Sequence, residues 1–486
     1  MTTRKSGRIA SALVAFLVVA AAAAASAATV TLEPPSGTTT NVLALYTGAN
    51  SVEIVGPGTV SLNPANTYTG GTTLSGGTLA YSGTPHDGAS PLGSGALNIT
   101  GGTISGSGTI ANDITSGAAA SFAPDGTIVL SGNNVFSALT DVTRNTLEIA
   151  GGETSFGNGL YMSYSAAGTA HFRQSGGSVQ IGAKSNVHLG YYKGATTSFT
   201  MTGGSFDVNG NNLLLYGNAG KAATTSTVDI SGDAQLRNIA SLYVHNKYAS
   251  YPDTSLSATI HDGGTLGFQM ARHNKTSCIP NVNLYVDGGT LANDNASAGR
   301  STERDWISNL GVASFKVGPN GATFTTKNGA NAGTAKIGVP IAAEAAGAGE
   351  TAKGLTFDNG YWEFAAAGNA YEGPTAIRNG SMLFLDANGT IPSGSTVTVG
   401  SGSELCTGGG NKTVTDLVLE RDATLGFGTS SSIPYTLTVT GSLTLPARAK
   451  IALYSANTPT TSALTAVGTY AVLQVPAEYA PPRSRP

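Results

Sequence analysis

Ionisable side chains are scarce in this 486-residue chain: Lys, Arg, Asp and Glu supply 11% of it, against about a quarter in an ordinary globular domain. A formal net charge of -3 gives no electrostatic reason to bind nucleic acid or anionic lipid, so neither is expected as a partner. Cysteine occurs only as Cys278 and Cys406, too few for a disulfide framework in an exported protein, and either one bridge or two buried thiols satisfies the sequence. A sustained 3.6-residue apolar period is missing too, which argues against helical crossovers and a doubly wound sheet. Beyond the N-terminus no stretch is apolar enough to cross a bilayer as a helix, so no span is expected in the mature chain. Nothing in the motifs calls for a metal or a cofactor.

What is present starts with Arg4, Lys5 and Arg8, followed by "IASALVAFLVVAAAAA" and then "ASAAT". This is the order of a secretory signal with cleavage after Ala27. The alternative, a membrane anchor, needs roughly 20 apolar residues. No twin Arg precedes the run and no Cys stands at the cleavage site, so a Tat signal and a lipid anchor are not indicated.

Glycine is the abundant residue, 66 in all. Its pairs recur in one context, at Gly76 in "TTLSGGTLAY", Gly101 in "LNITGGTISG", Gly151 in "LEIAGGETSF", Gly176 in "FRQSGGSVQI" and Gly203 in "FTMTGGSFDV", with degenerate copies at Asp125, Gly232, Gly263 and Gly288. A period of about 25 residues is that of a coil repeat. Apolar residues alternate with polar ones on both sides of each pair, as in a strand with one buried face. Leu79, Ile104, Ile128, Val179, Phe206, Leu266 and Leu291 form one inward column, and Thr78, Thr103, Ser178, Ser205 and Thr290 an outward one. The Gly pair then reads as a corner between two strands. A third short strand shows in "GLYMSY", "VHLGYY", "NLLLYG" and "SLYVHN". Three strands and three turns per repeat predict an all-β, right-handed parallel β-helix with coils of about 20 to 31 residues; an all-β sandwich is the alternative.

The segment "GPGTVSLNPANTYTGGTTLSGGTL" followed by "PLGSGALNITGGTISGSGTI" resembles the autotransporter-associated β-strand repeat, the passenger-associated repeat of exported bacterial surface proteins. A second copy, "GLTFDNGYWEFAAAGNAYEGPTAIRNGSML", aligns with it without a gap: Asn66 with Asn369, Tyr68 with Tyr371, Gly70 with Gly373, Thr72 with Thr375 and Gly77 with Gly380. The resemblance implies a right-handed β-helix and a place outside the cell or at the surface of a Gram-negative-type bacterium, and carries no catalytic residues. A complete autotransporter would end in a membrane barrel, whereas this sequence stops at "AVLQVPAEYAPPRSRP". The organisation expected is a signal at 1–27, a cap at 28–51, a regular solenoid with the first repeat at 52–300, irregular coils or a linker at 301–353, a solenoid with the second repeat at 354–475, and a disordered or truncated tail at 476–486.

No recognised set of catalytic residues stands out in the sequence. The Asn-Thr-Asp, Asp-Asp, Gly-His-Gly and Arg-x-Lys set of β-helix polysaccharide hydrolases does not occur as a set. "DWISN", 305–309, resembles the Trp-Ile-Asp-His stretch of pectate lyases, with Ser308 and Asn309 in place of the charged pair. "GTSSSIP", 428–434, resembles a subtilisin nucleophile stretch around Ser430 but has no His-containing companion. "DVNGNN" offers Asp207 and Asn209 as the first half of a calcium loop, or a plain Asn-Gly corner. On the outside of the third strand, Tyr161, His188, Tyr216, Tyr243 and His245 are candidate glycan contacts, set against stacking for packing alone. The expected function is a non-catalytic structural or adhesive surface protein whose partners are surface glycans or other cell-surface proteins. The alternative is a polysaccharide lyase or hydrolase on the same fold.

Overall fold

The computed structural model describes residues 27–83, 86, 89–164, 168–192, 194–217, 224–246, 254–271, 282–295, 303–326, 334–430, 433–454 and 472–475. Residues 1–26 of the expected signal at 1–27, Cys278 and the expected tail at 476–486 lie outside the described residues. The chain divides into two compact units, 1–160 and 161–486. The described residues contain strands and turns and no helix.

In the first unit the chain alternates between two parallel sheets. Thr29–Leu32, Ser51–Ile54, Thr72–Leu74, Leu97–Ile99, Ile114–Ser116 and Asn134–Phe136 stack as one. Thr39–Asn41, Thr59–Ser61, Thr78–Gly83, Thr103–Ile110 and Ala120–Leu130 stack as the other. Each turn of the chain adds one strand to each sheet, which makes a right-handed parallel β-helix; a sandwich would need antiparallel ladders. Period-two alternation puts Leu74, Leu79, Ile99 and Ile104 inside, all at most 1% exposed. Gly77 turns the corner between two strands with φ 66°, and a Cβ there would lie 2.3 Å from the Gly56 carbonyl oxygen, so the coil below leaves no room for a side chain.

One part of the predicted register does not hold. Leu79 stacks over Ile104 as expected, but Ile104 pairs with Phe122, and Ile128 pairs with Gly108. The cause is Pro124-Asp125-Gly126. This stretch matches the repeat pattern in sequence, yet it is a bulge inside the long strand Ala120–Leu130, where the ladder shifts between Pro124 and Ile128. The bulge also divides the strand's partners in the next coil: Ala120 to Phe122, before it, pair with Thr140–Val142, and Thr127 to Leu130, after it, with Asn145–Ile149. One edge has become two faces.

The second unit has these three faces in its early coils. Thr169–Gln174, Thr196–Met201, Thr225–Ile230, Ser255–His261 and Val282–Asp287 form the first. Ser178–Ile181, Ser205–Asp207, Gln235–Ile239, Thr265–Phe268 and Gly289–Asn293 form the second. The predicted third strands are there as Val187–Leu189, Leu213–Gly217 and Leu242–Asn246. Phe172 stacks on Phe199 at 4.9 Å, and Phe206 meets both rings edge-on at 5.7 and 5.1 Å. Later coils narrow to two principal sheets, with Leu355–Asp358, Thr375–Arg378, Thr396–Val399 and Asp416–Leu419 on one side. Tyr361–Phe364, Met382–Leu385, Glu404–Thr407 and Thr424–Phe427 lie on the other. Cys406 is fully buried, packed with Met382, Phe384 and Tyr454.

Candidate functional site

The third face places the aromatic candidates. Met162, Val187 and Leu189 turn inward and are fully buried, so the intervening residues turn out. Tyr161 and His188 meet there, stacked at 4.3 Å with their planes 11° apart. Tyr191 closes edge-on against both, at 5.6 Å from Tyr161 and 5.5 Å from His188. Tyr164 packs at 5.0 Å from Tyr161 and 4.7 Å from Tyr191. Burial raises the Tyr161 phenol pKa above the ordinary value, helped by the neighbouring phenols of Tyr191 and Tyr164.

Accessibility divides this cluster into a floor and a rim. His188 is 7% exposed, and Leu214, which follows it in the ladder, 4%. Tyr164 and Tyr192 are 40% and 38% exposed. The rim is held by backbone bonds from Tyr191 N to the Met162 carbonyl at 3.1 Å and from Tyr192 N to the Ser163 carbonyl at 2.8 Å. Ser163 has φ 57°, sparsely populated by non-glycine residues, and its fully buried hydroxyl has no hydrogen-bond partner among the described residues.

Of the sequence-predicted contacts, Tyr161 and His188 come together, chiefly as packing partners. Leu214 pairs with Tyr243, and Tyr216 with His245, in the backbone ladder; the side chains of Tyr216, Tyr243 and His245 lie outside the described residues. Tyr164, Tyr191 and Tyr192 were missed by the sequence reading. Their signal was the second aromatic just past each third strand, in "YMSY" and "LGYY".

Residues singled out for chemistry have structural employment. Asp207 accepts from the Asn209 amide at 2.7 Å and from Asn238 Nδ2 at 2.8 Å, so both carboxylate oxygens serve a corner. Trp306 of "DWISN" is a core ring, stacked on Phe268 at 5.1 Å with its Nε1 donating to the Phe268 carbonyl at 2.9 Å. The Ser430 side chain lies outside the described residues. Among the described residues no group of three or more His, Cys, Asp and Glu is arranged to hold a metal ion.

The buried charges are engaged as well. Asp294 takes the Arg237 guanidinium and, at 2.7 Å, the Asn238 amide. The Lys412 ammonium is held by the carbonyls of Asp386, Ala387 and Gly389; burial lowers its pKa below the usual lysine value, and the Asp386 charge partly offsets this. Glu404 accepts from the Tyr454 hydroxyl at 2.5 Å, and Glu363 faces Lys336 at 3.4 Å.

The fold and its occupants define a repeat-built parallel β-helix whose polar groups mainly close corners and ladders. Residues 55–80 match the family model described as Passenger-associated-transport-repeat, over the first of the two segments whose resemblance was drawn from sequence. No curated protein and no solved structure matches the chain. A passenger repeat within a parallel β-helix fits a passenger-like protein.

Proposed function

We propose that the chain is an exported, non-catalytic surface protein of passenger type, whose β-helix presents an adhesive face to surface glycans or to another cell-surface protein. The observation that carries this reading is the match of residues 55–80 to a passenger repeat inside a coil architecture whose buried charges are engaged in structural contacts. Acid–base catalysis needs paired ionisable groups within reach of one substrate. The contact surface proposed is the Tyr164 and Tyr192 rim over its Tyr161, His188 and Tyr191 floor. Tyrosine offers a flat apolar face and a hydroxyl at low entropic cost, which suits the faces and edges of a sugar ring.

The test pairs two assays on the purified full chain: capture on a glycan array and release of reducing sugar from the glycans captured. Capture without release, lost in Tyr164→Ala/Tyr192→Ala, supports the proposal. Release of reducing sugar would establish the alternative, a carbohydrate-active enzyme. Capture undiminished in the double variant would remove the rim from the contact surface.

A further inference from the structure

The repeat motif contains polar residues that a β-helix core does not need for packing. Asn66 is fully buried, and it is bonded to a different coil on each side. Its Oδ1 accepts from the Tyr46 amide at 2.9 Å in the coil before, and its Nδ2 donates to the Pro91 carbonyl at 3.0 Å in the coil after. The next residue reinforces the first contact, because the Thr67 amide donates to the Tyr46 carbonyl at 2.9 Å. Beside it the Tyr68 hydroxyl, also fully buried, bonds Thr72 Oγ1 at 2.5 Å.

The same set recurs in the second unit. Asn369 Oδ1 accepts from the Ile341 amide and its Nδ2 donates to the Thr390 carbonyl, both at 2.9 Å. The Ala370 amide donates to the Ile341 carbonyl at 2.8 Å. Tyr371 bonds Thr375 Oγ1 at 2.6 Å, and Thr375 goes on to Ser395 at 2.8 Å. Burial raises both Tyr68 and Tyr371 well above the ordinary phenol pKa, against the smaller opposing effect of their threonine partners. Both are therefore neutral hydroxyls, able to share a hydrogen bond with threonine without burying a charge. The Asn bonds reach backbone atoms in the neighbouring coils, so those neighbours are free to differ: Tyr46 against Ile341, and Pro91 against Thr390.

We infer that this Asn-Tyr-Thr set is a register lock, one in each unit, and that the segment around Asn369, Tyr371 and Thr375 is a second copy of the repeat matched at 55–80. The need for a lock follows from the repetition. Columns of Leu, Ile and Val inside and Thr and Ser outside are so alike that a strand slipped by two residues, or paired with the wrong coil, still buries an apolar face. Apolar packing is non-directional and does not penalise such errors. A buried amide that finds one N–H below and one C=O above does, since a register that carries these free backbone groups out of its reach leaves it unbonded in the core. Single buried polar residues set register in other repetitive folds in the same way.

Amide hydrogen exchange by mass spectrometry on the full chain tests this, with Asn66→Leu and Tyr68→Phe in the first unit and Asn369→Leu and Tyr371→Phe in the second. A lock predicts that Asn66→Leu and Tyr68→Phe speed exchange at 42–50 and 90–96 by about tenfold, the weight of one lost buried hydrogen bond. Split isotope envelopes should report two coexisting registers, while peptides at 337–343 and 388–396 keep the parent rate. The second pair should do the converse. Tyr68→Phe keeps the ring, so it stays informative if Asn66→Leu does not fold. Unchanged rates in the flanking coils, a single envelope, or equal loss in both units would overturn the lock.

Discussion

At the residue scale the most informative side chains are charged groups in a chain that has few. Lys412 is buried against three carbonyls of one turn; removing its ammonium leaves those acceptors to compete for water in a confined space. Lys412→Met should therefore destabilise by about 1 to 3 kcal/mol, whereas Lys353→Met, at an exposed position, should stay within about 0.5 kcal/mol. Urea titrations of the two variants make the comparison. His261 carries a pH dependence. Burial, the largest influence, works against its imidazolium, but the hydrogen bonds and charges of Asp262 at 2.7 Å and Asp229 at 2.9 Å outweigh it, so its pKa is raised. Asp287, its register partner in the next coil, adds a third carboxylate on that face. A group with a raised folded-state pKa stabilises fully below its unfolded value of about 6.5 and loses that contribution as pH rises through the folded value. The melting difference between the parent and His261→Gln should be largest near about pH 5 and shrink by about pH 9. A difference that grows with pH would contradict the assigned partners.

At the element scale the long strand Thr103–Ile110 shows how glycine shapes the first unit. Gly106 has φ 92°, and a Cβ there would stand 2.0 Å from the Tyr81 carbonyl oxygen. Gly117 has open space around its Cβ direction and no positive φ. Gly106→Ala should cost more than about 1 kcal/mol, and Gly117→Ala should be neutral or stabilising by up to about 1 kcal/mol; thermal melts distinguish them. These two glycines look alike in sequence, and the same limit applies to the repeat. The inward column was legible from Leu79 to Ile104 and from Val179 to Phe206, because period-two alternation survives any tertiary context. The step from Ile104 to Ile128 was not legible, since Asp125-Gly126 satisfies both a corner and a bulge and only the neighbouring coil decides between them. For the same reason the third strands were readable, whereas the division of the aromatics into a buried floor and an exposed rim was not. Exposure depends on what the adjacent coil lays over a side chain.

At the scale of the whole molecule, stability should be a sum over neighbouring coils, because the ladders join residues that are one coil apart. Phe206 makes the case concrete within the second unit. It is fully buried between Val179 and Leu236 in its ladder and touches Phe172 and Phe199, while Ser205 beside it is exposed. Phe206→Ala should cost about 3 to 5 kcal/mol, since close-packed interiors relax only partly around a deletion; Ser205→Ala should change stability by no more than about 0.5 kcal/mol. The loss from Phe206→Ala should also stay local. Opening the coils around residue 206 exposes strands whose next neighbours remain paired, and coils as distant as Thr375–Arg378 and Thr396–Val399 keep their own packing, including the bonds of Tyr371 and Thr375. Limited proteolysis of both variants beside the parent should give early cleavage near residue 206 only in Phe206→Ala, with a protected fragment that includes residues 355–430. Equal sensitivity of Phe206→Ala and Ser205→Ala would mean that the inward and outward columns are misassigned. Uniform digestion of Phe206→Ala would mean that the unit unfolds as one cooperative body and that coil-by-coil additivity fails.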